Sequence, residues 1–282
     1  MGLPMAGRLV AAGYRVTGCD LAEPARRAFE AAGGRTAPIG EAVERSAAIV
    51  TMLPDGKAVQ AALLGPDGLP GRAAAGTVVI EMSSSSPIDT RALGERLGEL
   101  GIGLVDAPVS GGVRKAQDGT LAIMAGGDPG LVARVRPLLR HLGASIFETG
   151  PLGSGHAMKA LNNYVSAAGL VAAAEALLVG RSFGLDPILM VDVLNASTGR
   201  NNSTENKLKQ FVLSGSFASG FALGLMAKDL GTADDLARHL GVNAPLSERC
   251  RALWSEALGV LGAEADHTEI YRYLEAGAPV ET

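Results

Sequence analysis

Four short stretches of this 282-residue chain carry side chains that chemistry can use. The first is GSGHAMKALNN, residues 153–163. Lys159 and Asn162 are three apart and Asn163 is four from Lys159, so on a helix they project from one face. A lysine beside amides on an otherwise apolar helix is poor core material, and such a group faces either solvent or a polar cleft. The second stretch is DAPVSGG, residues 106–112, directly after an apolar run. Its two glycines let a ligand approach the backbone, and the N–H groups of Gly111 and Gly112 with the Ser110 hydroxyl could hold a carboxylate. The same residues also suit a tight strand-exit turn.

The third stretch opens the chain: MGLPMAGRLVAAGYRVTGCD. It reads as a helix, a glycine turn and a strand ending in an acid. A dinucleotide site seats a pyrophosphate at a helix N-terminus behind GxGxxG, and an acid about 20 residues on takes the ribose hydroxyls. Gly2 fits the third glycine, residues 3–12 the helix, and Asp20 the acid. The first strand and the first two glycines of that fingerprint do not stand before Gly2. Asp20 would accept from the ribose and repel a 2′-phosphate, and Leu21 and Ala22 follow it where an NADP site more often has Arg. NAD is therefore favoured over NADP, with Arg26 and Arg27 read as solvated surface. The fourth stretch, FALGLMAKDLGTADDLA, holds Lys228–Asp229, either a lysine for the same cleft or an ordinary surface step.

The elements that must position these residues differ between the two halves. Apolar runs at 14–20, 48–53, 77–82, 103–107, 121–125 and 145–148 read as strands, separated by helical patterns such as 23–32 and 89–100. Continuous runs such as AIVTML and TVVIEM imply strands covered on both faces, as in a parallel sheet. The βαβα alternation argues for a doubly wound, Rossmann-type α/β domain over 1–152. After about residue 151–155 the strand signal ends. An Ala-rich helix of nearly 30 residues begins there, roughly 40 Å at 1.5 Å per residue, followed by helices at 187–195, 223–239, 245–261 and 267–274. This gives an all-helical domain over 153–282. So long an alanine-rich helix needs partners on several sides, which points to a homo-oligomer, a dimer or tetramer.

Bulk composition excludes several classes. A net charge of −4 offers no basic footprint for nucleic acid. Cys19 and Cys250 form no CxxC, and the four histidines show no metal spacing. Two reduced packing thiols and no metal are expected. The apolar runs are broken by charge or glycine before the ~20 residues of a membrane span, and the N-terminus lacks a signal-peptide plan. A cytoplasmic protein is the expectation.

In combination, MGLPMA, MLP, the Ser-rich loop, DAPVSGG, GxGxxxKxxN and KDL, in that order over nearly the whole chain, resemble the β-hydroxyacid dehydrogenase family. Its members include 3-hydroxyisobutyrate dehydrogenase and tartronate semialdehyde reductase. The resemblance implies an NAD(P)-dependent oxidoreductase of small β-hydroxy carboxylates. It makes Lys159 the general acid/base and Asn162 the residue that orients the substrate. Ser110, Gly111, Gly112 and Asn163 become substrate-binding, and Lys228 lies near both nicotinamide and substrate. Gly2, Asp20, Met52, Leu53, Pro54 and Ser84 become cofactor-binding; many relatives carry Thr where Ser84 stands. A solvated lysine near pKa ~10.4 is a poor base at neutral pH. Desolvation, or a second cation such as Lys228, would lower it toward the ~7–8 that catalysis needs.

Lys115–Ala116 is closer to tartronate semialdehyde and threonate enzymes than to some 3-hydroxyisobutyrate enzymes. Residues 197–211, with Arg200, Asn201 and Asn202, either line the substrate pocket or form a polar interhelical loop. Imine reductases share this architecture but generally lack the lysine, as does a non-catalytic binding protein on the same scaffold. A third alternative is a truncated chain with impaired cofactor binding. The absent first strand would be central, and its loss would expose apolar side chains worth ~1.5–3 kcal/mol each when fully buried. Their sum rivals the ~5–15 kcal/mol stability of a domain.

Overall fold

The computed structural model describes residues 1–277. Its contacts divide the chain into two compact units, Met1–Lys159 and Ala160–Thr282. Residues 278–282 of the expected helical half lie outside the described residues.

The first unit alternates helix and strand. In order it holds α1 (Gly2–Ala11), β1 (Thr17–Gly18), α2 (Glu23–Ala31), β2 (Arg35–Thr36), α3 (Ile39–Glu44), β3 (Ala48–Thr51), α4 (Gly56–Leu64) and β4 (Val78–Glu81). Then come α5 (Pro87–Glu99), β5 (Gly103–Asp106), β6 (Val109–Ser110), α6 (Gly112–Asp118), β7 (Ala122–Gly126), α7 (Pro129–Leu139) and β8 (Ser145–Gly150). Helix starts are set by short polar side chains: Asp55 accepts from Ala58 N, Ser86 from Asp89 N, and Asp128 from Gly130 N and Leu131 N.

The six-stranded sheet runs β3-β4-β5-β7-β6, with β8 also on β7. β4 reads VVIE and is buried throughout because both sheet faces are covered. Val78 and Ile80 pack with Met5 and Leu9 of α1 and Val132, Val135 and Leu139 of α7. Val79 packs on the other face with Val43 of α3, Val59 and Leu63 of α4, and Leu93 and Leu97 of α5. Alternate residues of one strand thus serve opposite layers, which is the doubly wound arrangement. β3, β4 and β5 are parallel, in the register Ala48↔Val78↔Gly103. The sheet is not parallel throughout: β7 meets β5 and β6 antiparallel. Only β6 and the short α6 lie between β5 and β7, so the chain turns back with no long crossover helix.

The expected strands at 48–53, 77–82, 103–107, 121–125 and 145–148 are present, with ends moved by one or two residues. The first is the exception. Of residues 14–20 only Thr17–Gly18 form a strand, because their ladder is the two-residue β2, in a sheet separate from the other six strands. Among the described residues β3 pairs with β4 alone, and its Ile49 and Val50 stay half-buried while Val79 and Ile80 of β4 are fully buried.

The second unit is helical. α8 (Ser154–Phe183) starts in the first unit and continues into this one, followed by α9 (Pro187–Ala196), α10 (Asn202–Asn206), a π-helical turn (Leu208–Leu213), α11 (Leu223–His239) and α12 (Pro245–Leu261). The expected helix at 267–274 divides into a 3₁₀ turn (His267–Glu269) and α13 (Ile270–Glu275), because Asp266 caps the turn by accepting from Thr268 N. Ala167, Leu170, Ala174 and Leu177 of α8 are fully buried against Val191, Leu230, Trp254 and Ile270. Contrary to the reading of its sequence, α8 is long and apolar enough to cross a membrane by length and composition; nearly half of that stretch is buried inside the protein. Cys250 is a buried packing thiol as expected, whereas Cys19 is exposed, and both are free.

The first turn of α8 lies against the sheet only because residue 155 is glycine. A Cβ there would overlap Met124 O and stand 2.9 Å from Asp106 Oδ2. Gly155→Ala should therefore lower stability by about 1–3 kcal/mol through overpacking, measured by denaturant titration, whereas Gly7→Ala, on α1 with open space around it, should cost nothing.

Candidate active site

Because β3, β4 and β5 run parallel, their carboxyl ends gather at one edge of the sheet, where open α/β sheets bind ligands. Three ionisable side chains are buried there: Glu81 at the end of β4, Asp106 at the end of β5, and His156 in the first turn of α8, each no more than 1% exposed. His156 Nε2 lies 2.7 Å from Glu81 Oε2. Its Nδ1 lies 2.8 Å from Thr90 Oγ1 and 3.7 Å from Asp106 Oδ2. Thr90 Oγ1 donates its own proton to Ser86 O at 2.8 Å, so it accepts from Nδ1–H. Nδ1 then carries a proton, and Nε2 faces the Glu81 carboxyl.

The electrostatics agree. Burial alone would drive the imidazole neutral, but Glu81 and then Asp106 outweigh it and hold its pKa above the ordinary value. Burial would likewise raise Glu81, yet His156 and the Ser83 N–H keep its carboxyl below the usual range. Asp106 accepts from Gly153 N and His156 N, both at 2.8 Å, placing a carboxylate on the amino end of α8. Glu81 Oε1 also accepts from Ser83 N at 2.8 Å, and Ser83 Oγ accepts from Leu53 N at 2.9 Å. None of His156, Glu81 or Asp106 was singled out from sequence; the signal was a histidine and two strand-end acids in runs otherwise apolar.

Of the expected cofactor residues, Met52, Leu53, Pro54 and Ser84 lie in the loops after β3 and β4 at this edge, whereas Asp20 follows β1 of the separate two-stranded sheet. Gly2 opens α1, whose N-terminus has no side-chain cap and no acid in its first turn. A Cβ on Gly2 would meet Met52 Cβ at 3.9 Å, an ordinary contact, so Gly2 and Met52 are neighbours. Leu53 is half-buried and Pro54 exposed in the loop after β3; Ser84 is half-buried after β4. Asp20 is exposed beyond β1, its carboxylate accepting from Ala22 N at 2.8 Å. Arg26 is not simply solvated: its Nη1 donates to Asp20 O at 2.6 Å and Leu21 O at 2.9 Å. An uncapped helix N-terminus and an exposed acid past the next strand fit a dinucleotide's pyrophosphate and ribose.

Ser110 ends β6, and Gly111 (φ 134°) and Gly112 (φ 69°) turn the chain into α6. A Cβ on Gly111 would stand 2.5 Å from Lys115 Cδ, while Gly112 has open space beside it. The turn geometry requires both glycines, and the start of α6 carries no side-chain cap.

In the second unit, a chain of polar groups joins α8 to α11. Asn162 Nδ2 donates to Asn163 Oδ1 at 3.1 Å, and Asn163 Nδ2 donates to Asp229 Oδ2 at 2.6 Å. Lys228 Nζ lies 3.4 Å from Asp229 Oδ1. Asn163 and Asp229 are buried, Asn162 and Lys228 half-buried, so the Lys–Asp step is not a surface feature. Lys159 is half-buried on the same helix as Asn162 and Asn163. The loop before α11 is pinned by a second cluster. Asp266 accepts from Gly220 N and Ser219 Oγ, and His267 Nδ1 donates to Phe221 O at 3.1 Å while its Nε2 faces Lys207 Nζ at 2.8 Å. Burial pushes Lys207 down to about 8 against the opposing pull of Asp266.

The polar stretch 197–211 serves structure at Asn201, which caps α10 by accepting from Ser203 N and Thr204 N within a capping box. Arg200 is exposed and pairs with Glu205 at 3.7 Å, and Asn202 is exposed. Asp229→Ala would leave the buried Asn163 amide without its acceptor, at a cost of about 1–3 kcal/mol. Asp229→Asn, which retains an acceptor oxygen, should lose less in the same denaturant titration.

Comparison with known proteins gives one answer along the chain. Residues 1–150 match the family described as the NAD binding domain of 6-phosphogluconate dehydrogenase. Residues 153–274 match the family described as NAD-binding of NADP-dependent 3-hydroxyisobutyrate dehydrogenase. The 2-(hydroxymethyl)glutarate dehydrogenase of Eubacterium barkeri is 37% identical over 88% of this chain and 82% of its own. The 3-hydroxyisobutyrate dehydrogenase of Pseudomonas aeruginosa is 36% identical over 94% and 90%. Among solved structures, the Mycobacterium tuberculosis 3-hydroxyisobutyrate dehydrogenase with L-serine superposes with a TM-score of 0.90 at 33% identity, covering 97% of this chain and 95% of that one. With two family matches that together span both units and relatives aligned over most of their length, the chain belongs to the β-hydroxyacid dehydrogenase family and is an NAD(P)-dependent hydroxyacid oxidoreductase.

Proposed function

We propose that this enzyme moves a hydride between NAD and a small β-hydroxy carboxylate of the 3-hydroxyisobutyrate type, with Lys159 as general acid/base. The observation that carries this reading is the placement of Lys159 on α8, three residues past a histidine bolted to the strand ends that precede the cofactor and carboxylate loops. A nicotinamide held by these residues would supply the hydride acceptor for the carbinol carbon. Lys159 Nζ takes the hydroxyl proton in that direction and returns it in the other. Asn162 orients the hydroxyl, with Asn163 behind it held by Asp229. Ser110 Oγ and the N–H groups of Gly111 and Gly112 receive the substrate carboxylate. Lys228 adds positive charge near substrate and nicotinamide. Gly2 and the α1 N-terminus receive the pyrophosphate, Met52, Leu53, Pro54 and Ser84 line the cofactor, and Asp20 takes the ribose hydroxyls.

A second reading, a tartronate semialdehyde reductase, is supported by Lys115, whose stem lies against Gly111 in the carboxylate turn. There its charge would favour a more polar substrate. We further infer a cytoplasmic homodimer or homotetramer. Val165, Val179 and Phe183 of α8, with Leu189 of α9, are 61–85% exposed, an apolar area that a second copy would cover.

Lys159→Ala should lose about 10²–10⁴ in kcat, the usual worth of a general base. NADH titration by fluorescence should show cofactor affinity within about threefold; near-normal turnover with cofactor bound would end the assignment. Failure of wild type to bind NADH at all would favour the non-catalytic reading. For Asp20→Ala, the NAD-over-NADP ratio of kcat/KM should fall about tenfold, or ~1.4 kcal/mol, and an unchanged ratio would remove Asp20 from the ribose site.

A further inference from the structure

We propose that His156, held as an imidazolium, is the positioning residue that fixes Lys159 relative to the cofactor and substrate loops. This inference rests on the reading of Lys159 as the general acid/base.

The argument is one of connectivity. Each of the three parallel strands ends in a group tied to this ring or to its partners. From β4, Glu81 meets Nε2 at 2.7 Å. From β5, Asp106 lies 3.7 Å from Nδ1 and also accepts the His156 backbone N–H at 2.8 Å. From α5, Thr90 accepts from Nδ1. From the end of β3, Thr51 Oγ1 donates to Glu81 Oε1 at 3.3 Å, and Leu53 N reaches the same network through Ser83 Oγ. Leu53 and Pro54, Ser84, and Ser110 to Gly112 all follow directly from these ends. Lys159 follows His156 by three residues, one helical turn later on the same face. A displacement of the ring therefore moves the base and the loops relative to one another.

The charge is what makes the device stiff. Glu81 and Asp106 are both buried at the ring, and the charged groups facing it from β4 and β5 are these two alone among those the structure describes. Removing the cation would leave the Glu81 carboxylate buried beside a neutral ring, a costly arrangement. The carboxylate would take up a proton or draw in water, and in either case α8 would lose its fixed seat. Catalysis is sensitive to such shifts because a misplacement of about 1 Å can cost ~10²-fold in rate.

Two measurements test this. The chain has four histidines, so ¹⁵N imidazole spectra are tractable, and His156→Gln assigns the signal by its loss. The expected result is a His156 protonated on both nitrogens at pH 7, in wild type and equally in Lys159→Ala; a neutral ring at pH 7 overturns the proposal.

The second measurement is kinetic. His156→Gln should lower kcat by at least about tenfold, while NADH affinity stays within about threefold and the pH limb assigned to Lys159 shifts by about 0.5 or more. The double variant Glu81→Gln with His156→Gln, in which two neutral amides replace the ion pair, should recover most of the lost kcat. It also serves if the single variant fails to fold. A His156→Gln enzyme with kcat within about twofold of wild type and an unmoved limb overturns the proposal. If Lys159→Ala remains active, the general-base reading falls, and the ¹⁵N spectra still decide the state of His156 independently.

Discussion

The rest of the first unit depends on one buried ionic contact, the imidazole of His156 against Glu81 with Asp106 behind it. Groups of this kind are expensive to bury, and replacing them with apolar side chains is often neutral or favourable for stability. Their presence at a fully closed position is therefore better explained by what they orient than by what they stabilise. The two carboxylates cannot be satisfied by each other. One is neutralised by the ring and the other by the backbone N–H groups of Gly153 and His156 at the start of α8. The helix dipole adds to that second term. This fixes the position of α8 on the strand ends.

The glycines follow from the same constraint. For Asp106 to reach the helix backbone, the helix must lie directly on β7, which leaves no volume for side chains at Gly126 or Gly155. A Cβ on Gly126 would stand 2.6 Å from both Asp106 Oδ1 and Ser154 Oγ. The GSG of this junction is thus a packing requirement of the ionic contact. The second unit repeats the principle with different groups: Asp229 satisfies Asn163, and Asp266 gathers the loop that starts α11. In both units carboxylates with little solvent access hold the candidate helices, Asp106 at the start of α8 and Asp229 between α11 and α8.

Much of this was legible in the sequence. AIVTML and TVVIEM announce strands covered on two faces, and the ends of α11 and α12 fall where the periodicity places them. The candidate residues follow from motif order. The ion network was not legible, because its members come from residues 81, 106 and 156 and no local pattern links them. β6 and the antiparallel direction of β7 were not read, because DAPVSGG reads equally as a turn or as a short strand followed by a turn. The capping role of Asn201 was hidden by a stretch so polar that any of its side chains could have served a ligand. Arg26 likewise gave no sign from sequence that it would reach the carbonyls beyond β1.

The two ends of the candidate site differ sharply in how firmly they are held. The edge near Lys159 rests on strands buried on both faces and on charges with almost no solvent access. Asp20, by contrast, follows a two-residue ladder whose partner strand is equally short, and its carboxylate is exposed. Local opening free energies scale with such differences in buried contacts and ladder length. A dinucleotide spanning both regions would meet a rigid nicotinamide end and a compliant adenosine end. Part of its binding free energy would then go into ordering β1, β2 and the Asp20 turn, and by mass action that ordering appears as ligand-dependent stability. The ordering cost would fall at the compliant end, while the strand ends beside Lys159 would stay in place. On the proposed assignment, such a division would let cofactor leave without disturbing the strand ends that seat α8.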